Sequence, residues 1–250
     1  MQRLSEIAIA SVALLVLAVS SVIALGSLPV FRIDGFSVEA PIDCPSVSSV
    51  MLKSVGSNYL KNGRKEIEGS LEALPFVKSI GLSFSRGRVI ADLSFYPEGA
   101  VLASESNAFF YDGEKLTGIE RRDVPGLRGE YPVIEISNAY MDYIRVTGIP
   151  EGLKGSIAAL KSYLVGQEGK DSLITTVKYD NNKNSGKGET EVSLPSLCST
   201  LRLADGFSPA ILEECIKLIE EDVYQRGGAT VFSDVSRYEL YQNTLIRLKG

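Results

Sequence analysis

Histidine is absent from all 250 positions of this sequence. Its absence removes the commonest general base and the commonest metal ligand together, and most hydrolase and zinc mechanisms lose their central residue. Cysteine is scarce. Cys44, Cys198 and Cys215 are an odd number with no C-x-x-C or C-x-x-H spacing, so neither a zinc site nor a redox motif is indicated. One disulfide plus a leftover thiol is open to an oxidising compartment. The pattern favours thiols packed as small hydrophobes, because Cys215 lies on the apolar stripe of a predicted helix and Cys198 in a predicted strand. Positive charge is also short: 26 basic against 31 acidic residues leave a net charge of −5. That balance disfavours a protein whose main task is to neutralise phosphates, so no nucleic-acid partner is expected. What remains is a globular composition, 44% hydrophobic and 23% charged, which excludes a disordered chain, a collagen-like repeat and a disulfide-dense miniprotein.

The first thirty residues read differently from the rest. No charge occurs from Ile7 through Phe31, and Ile7 to Leu25 is nearly all apolar. At the rise of an α-helix these residues span roughly 28 Å, about the hydrocarbon thickness of a bilayer. The expectation is a short cytoplasmic tail over 1–6 and a transmembrane helix over 7–28, anchoring the chain in the lipid bilayer of the cell inner membrane as a single-pass protein with its C-terminal domains exported to the periplasmic side. A cleavable signal peptide is the alternative, since Met1 to Arg3 supply a basic start and Val22-Ile23-Ala24 a possible cleavage site.

Beyond this segment the chain reads as two modules, 29–97 and 98–250. In the first, Phe31, Ile33, Phe36 and Val38 make a strand pattern ending at Pro41. Ser46 is placed to cap a helix carrying Val47, Val50, Met51 and Val55. Ile67, Leu71 and Leu74 mark a second helix that Pro75 stops. Ile80, Leu82 and Phe84, then Val89, Ala91, Leu93 and Phe95 across Arg86-Gly87, alternate as a hairpin with one apolar face. The order strand, helix, helix, strand, strand lets two helices cover one face of a three-stranded sheet.

The second module is strand-rich with two helices. Leu153, Ile157, Leu160 and Leu164 give one helical face; Ile211, Leu212, Cys215, Leu218, Ile219 and Val223 give another, opened by Ser208 and Pro209. Strands are expected around 173–179, 190–194, 198–203, 229–234 and 240–249. Asp180, Asn182, Asn184 and Glu191 match ligand positions of a calcium loop, but Ser185 stands where that loop needs glycine and the flanks read as strands, so a hairpin loop is the better reading. The cluster Glu220-Glu221-Asp222 reads as a solvated helix face. Serines such as Ser196 and Ser199 lack a histidine partner or a glycine elbow, so no nucleophile, no enzyme activity, no small-molecule substrate and no cofactor are expected.

Several short stretches, taken in order, resemble one family. Leu71-Glu72-Ala73-Leu74-Pro75-Phe76-Val77 is similar to the leucine-x-x-leucine-proline-x-valine stretch of the POTRA domain in the bacterial cell-division family FtsQ/DivIB. Tyr111-Asp112-Gly113 resembles the aspartate-x-glycine hairpin of that family, with the glycine directly after the aspartate. Val124-Pro125-Gly126-Leu127 resembles its proline-containing link, and Asp234-Val235-Ser236-Arg237-Tyr238 its aspartate-leucine-arginine-tyrosine strand with one extra residue. The resemblance implies an α+β fold class: an N-terminal transmembrane helix, a POTRA (β-α-α-β-β) domain over 29–97, and an FtsQ-type β domain over 98–250 that is strand-rich with two helices. It implies a non-catalytic bitopic membrane scaffold of the divisome that recruits or regulates septal cell-wall synthesis, with FtsB- and FtsL-like bitopic division proteins as partners. A strand at a sheet edge carries unpaired N–H and C=O groups able to bond a partner strand, so the partner-binding residues are expected to be Tyr238, Tyr241, Leu245 and Arg247. The alternative is a POTRA-type outer-membrane assembly or secretion module. Such modules normally precede a β-barrel, and the tail here is too short and too interrupted by helices to supply one.

Overall fold

A computed structural model describes residues 15, 16, 20, 28–128, 130–166, 173–182, 187–227 and 235–248. The chain divides between Phe95 and Tyr96 into two compact units. The fold class expected from sequence needs correction on two counts. No helix among the described residues is long and apolar enough to cross a membrane, so the described fold holds no transmembrane helix; most of that stretch, and all of the tail 1–6, lie outside the described residues. The C-terminal unit also holds more than two helices, and they cover a single nine-stranded mixed sheet.

In the first unit β1 (Gly35–Glu39), α1 (Pro45–Ser54), α2 (Arg64–Glu72), β2 (Val77–Ser85) and β3 (Arg88–Phe95) follow in order. The sheet is ordered β1-β3-β2, with β1 parallel and β2 antiparallel to β3. Arg86 (φ 50°) and Gly87 (φ 77°) close the β2–β3 hairpin. Two positive φ values in a two-residue loop make the turn whose twist matches the flanking strands. α1 starts two residues earlier than the Ser46 cap would place it: Cys44 holds the cap position, Pro45 follows, and Ser46 lies inside the first turn. Met51, Ile67, Leu71, Phe76, Val89 and Ala91 are fully buried between the helices and the sheet. The Phe76 ring meets Phe95 edge-on at 5.3 Å, an arrangement that adds to the burial of both rings.

The second unit contains β4 (Ala100–Ala103), β5 (Ala108–Tyr111), β6 (Leu116–Ile119), α3 (Val124–Leu127), β7 (Val133–Glu135), α4 (Asn138–Thr147), α5 (Glu151–Gly166), β8 (Thr176–Asn182), β9 (Lys187–Leu194), β10 (Ser199–Ala204), α6 (Pro209–Gln225), β11 (Ser236–Tyr241) and β12 (Thr244–Leu248). Across the sheet the order is β12-β11-β10-β9-β8-β7-β4-β5-β6. The pairs β4·β7, β7·β8 and β10·β11 are parallel and the rest antiparallel. One core joins Ile134, Val177, Val192 and Leu201 from the sheet to Met141 and Ile144 of α4, Leu153, Ile157 and Leu160 of α5, and Leu212, Ile216 and Ile219 of α6. α4 is the helix that the apolar pattern did not announce. Its buried face has only Met141 and Ile144, but Ser137 caps it by accepting from the Tyr140 amide at 3.2 Å, and Gly148 at φ 84° ends it. At the head of β4, Gly99 is required: a Cβ there would collide with the rings of Phe110 and Tyr131, which meet edge-on at 5.1 Å.

The opposite, solvent face of this sheet has an order of its own. Register sets Glu135 opposite Lys178, Lys178 opposite Glu191, Glu191 opposite Arg202 and Arg202 opposite Glu239. Charge therefore alternates in sign across five neighbouring strands. Arg202 reaches Glu191 at 3.4 Å and Glu189 at 3.9 Å. Each opposed pair contributes only a fraction of a kcal/mol at this exposure, but a one-residue slip of any strand would break the sequence of signs. Of the calcium-loop positions, Asp180 and Asn182 lie in β8 and Glu191 in β9, and Asn184 lies outside the described residues. Lys178→Glu puts like charges opposite both Glu191 and Glu135. It should lower the unfolding free energy by about 1–2 kcal/mol in urea denaturation, whereas Lys178→Arg should leave it unchanged.

Candidate partner-binding edge

The last two strands form a hairpin where sequence periodicity suggested one continuous strand over 240–249. Gln242 (φ 48°) and Asn243 (φ 63°) both take the left-handed conformation, and Tyr241 pairs with Thr244 across them. In a two-residue loop of this kind the flanking residues form a hydrogen-bonded pair, and hydrogen-bonded and non-hydrogen-bonded pairs then alternate along the ladder. Thr244, Ile246 and Leu248 therefore turn their backbone groups inward to β11. Leu245 and Arg247, which stand opposite Leu240 and Tyr238, turn theirs outward. Among the described residues β12 pairs only with β11 and closes one end of the sheet. Two N–H and two C=O groups thus face away from the sheet at adjacent outward positions.

The side chains divide the other way. Leu240 and Leu245 face α6 and, with Ile211, Cys215 and Leu218, line a cleft of about 350 Å³ beside the free edge. Cys215 is a buried thiol, raised to about 11 chiefly by that burial and next by Glu214. On the opposite face Tyr241, Ile246 and Leu248 are 57%, 42% and 40% exposed. The edge strand β2 of the first unit differs. β2, nine residues long at the edge of the first unit, exposes Ser79, Gly81, Ser83 and Ser85 instead.

The four residues expected to bind a partner are therefore brought to one hairpin but not to one surface. Leu245 and Arg247 lie on the edge itself, and Tyr241 stands on the solvent face. Tyr238 is 4% exposed and points into the unit. Its hydroxyl donates to Asp222 Oδ2 at 2.5 Å and accepts from the Arg226 guanidinium at 2.6 Å. Arg226 also pairs with Asp222 at 2.9 Å, one helical turn back, and Arg247 approaches the same carboxylate at 3.8 Å. Tyr238 thus fastens the hairpin to the end of α6, and Asp222 joins the two through hydrogen bonds that a charged partner strengthens. Sequence reasoning passed over Arg226 and read Asp222 only as part of a solvated helix face, whereas the structure sets it against Tyr238. The i,i+4 spacing of Asp222 and Arg226 was visible, but the tyrosine that reads them lies on another element.

A second cleft, of about 840 Å³, lies over the alternating charge row, where Arg202, Lys178, Glu135 and Glu191 face one another. Arg121 at its rim donates to the carbonyls of Ser104 and Glu105. Among the described residues no group of cysteine, aspartate and glutamate side chains is placed to hold a metal ion. None of Cys44, Cys198 and Cys215 is in a disulfide; Cys198 occupies a left-handed turn at φ 45° before β10.

No family model and no curated protein matches the chain.

The Tyr238 phenol is pushed up from 10.0 to about 12, first by burial and next by the hydrogen bond to Asp222. The folded chain holds that proton more tightly than the unfolded one, so the contribution is complete below pH 10.0 and is lost as pH rises through about 12. Denaturant melts across this window should show falling stability, and Tyr238→Phe should flatten the fall while costing about 1 kcal/mol at neutral pH.

Proposed function

We propose that this protein is a non-catalytic scaffold that takes a strand of a partner onto the outer edge of β12, and that its partners are the FtsB- and FtsL-like proteins of the bacterial divisome. The observation that carries the reading is the pair of outward-facing backbones at Leu245 and Arg247 beside an apolar cleft. An added strand satisfies those groups, and a side chain from a neighbouring segment of the same partner fills the cleft. The two contributions are of similar size. Each new backbone bond is worth about 0.5–1.5 kcal/mol net, and burial of one leucine-sized side chain about 1.5–3 kcal/mol. Backbone bonding fixes direction and register, and the cleft selects among partners.

Support for the divisome assignment comes from the ordered likeness of the Leu71–Val77, Tyr111–Gly113, Val124–Leu127 and Asp234–Tyr238 stretches to the FtsQ/DivIB family. The uncharged stretch Ile7–Phe31 supports a place at the inner membrane, and the likeness to FtsQ/DivIB supports the folded units on its exported side. The reading needs no substrate and no cofactor. Within it Leu245 and Arg247 supply the bonding edge, Tyr241 adds a contact on the solvent face, and Tyr238 holds the hairpin in place.

The edge can be tested without breaking the hairpin. Leu245→Pro removes an N–H that points outward and leaves the β11–β12 ladder whole, a placement edge strands tolerate. Ile246→Pro instead removes an inward donor. Leu245→Pro should preserve the near-ultraviolet circular dichroism of the fold and abolish co-purification with FtsB-like and FtsL-like proteins. Retained capture by Leu245→Pro, or enrichment of a barrel-assembly complex in place of the division proteins, would contradict the reading.

A further inference from the structure

The first unit carries an apolar and basic lip at its N-terminal end, on residues the proposed scaffold role does not use. Three hydrogen bonds assemble it. The Ile33 amide donates to the Ser57 carbonyl at 2.9 Å, the Gly56 amide donates to the Ile33 carbonyl at 2.7 Å, and Asn58 Nδ2 donates to the Leu28 carbonyl at 3.5 Å. Asn58 also accepts from the Leu60 and Lys61 amides at 3.1 Å each, which fixes the turn Tyr59–Gly63 beside the incoming chain. Residues 28–33 therefore run along the end of α1 and this turn.

Five large apolar side chains stand uncovered in these segments: Leu28, Val30, Leu52, Val55 and Leu60, the last 54% exposed. Interleaved with them are Arg32, Lys53, Lys61, Arg64 and Lys65, whereas neither 28–33 nor 44–65 contains an aspartate or glutamate. Arg32 and Arg64 have carboxylates only at 3.9 Å, from Asp34 and Glu68. Lys53, Lys61 and Lys65 have no ion pair among the described residues.

We infer that this lip rests on a lipid surface bearing anionic headgroups, with Leu28, Val30 and Leu60 in the acyl boundary and Lys53, Lys61 and Lys65 at the phosphates. Two facts select lipid over another occupant. The lip continues directly from the apolar run Ile7–Leu25, with only Gly26 and Ser27 between Leu25 and Leu28, so a phase that takes the side chains of that run lies within about 10 Å of the lip. Charge does the orienting. The chain as a whole carries −5, so an anionic surface repels most of it and attracts the segments 28–33 and 44–65, which carry basic side chains and no acid. Long basic side chains there can lay their stems along apolar surface and keep their charges at the headgroups.

The sequence has no tryptophan, so Leu60→Trp in the full chain gives a single emitter at the lip and Tyr143→Trp on α4 a control in the other unit. In vesicles of equimolar phosphatidylcholine and phosphatidylglycerol, Leu60→Trp should emit at shorter wavelength and be quenched by brominated acyl chains, and Tyr143→Trp should not. Adding Lys61→Gln should lower the ratio of engaged to free lip about fivefold, as expected for one basic side chain near an anionic surface. Equal quenching at the two positions would overturn the inference. So would quenching in phosphatidylcholine alone that Lys61→Gln leaves unchanged, or a blue shift without quenching, which would mean that a protein segment covers the lip.

Discussion

Gln242 and Asn243 both adopt positive φ, and that two-residue turn decides what the end of the chain presents. The turn fixes which residue of β12 stands opposite which residue of β11, and with that register which backbones point inward. With this turn, Thr244, Ile246 and Leu248 complete the ladder, and Leu245 and Arg247 are left to bond elsewhere. The turn would not hold position by itself, since an isolated hairpin is marginal in water. The hydroxyl of Tyr238, between Asp222 and Arg226, ties the hairpin to α6. The cleft that Leu218 and Leu245 line lies between that helix and the hairpin.

The legible parts of the molecule were those that a short window of sequence determines. Arg86-Gly87 between two alternating apolar runs forms the β2–β3 turn, and Leu153, Ile157 and Leu160 lie buried on α5. α4 escaped because two apolar residues make a weak stripe, and the Ser137 and Gly148 signals at its ends were the better evidence for it. The hairpin at the end of the chain read as one strand because neither turn residue is glycine, the usual mark of positive φ. The transmembrane expectation rested on hydropathy alone, and no described helix carries it.

Other features could not be read locally at all. The charge row Glu135, Lys178, Glu191, Arg202 and Glu239 joins residues from five strands separated by helices and loops, and only the register makes them neighbours. Tyr238 illustrates the same point from the opposite side. An aromatic residue in the last strands suggested a contact for a partner, but the sheet turns it inward to Asp222, and its effect on binding passes through the position of the hairpin. Of the expected contacts, the backbones of Leu245 and Arg247 are the ones left pointing outward.

Amide hydrogen exchange at Leu245 and Arg247 tests the central claim most directly, because these two N–H groups have no role inside the hairpin. In the free protein both should exchange quickly while Ile246 between them is protected, and addition of an FtsB-like partner should slow both without altering Ile246. Protection of Leu245 and Arg247 before any partner is added, or exchange unchanged in the complex, would contradict the account.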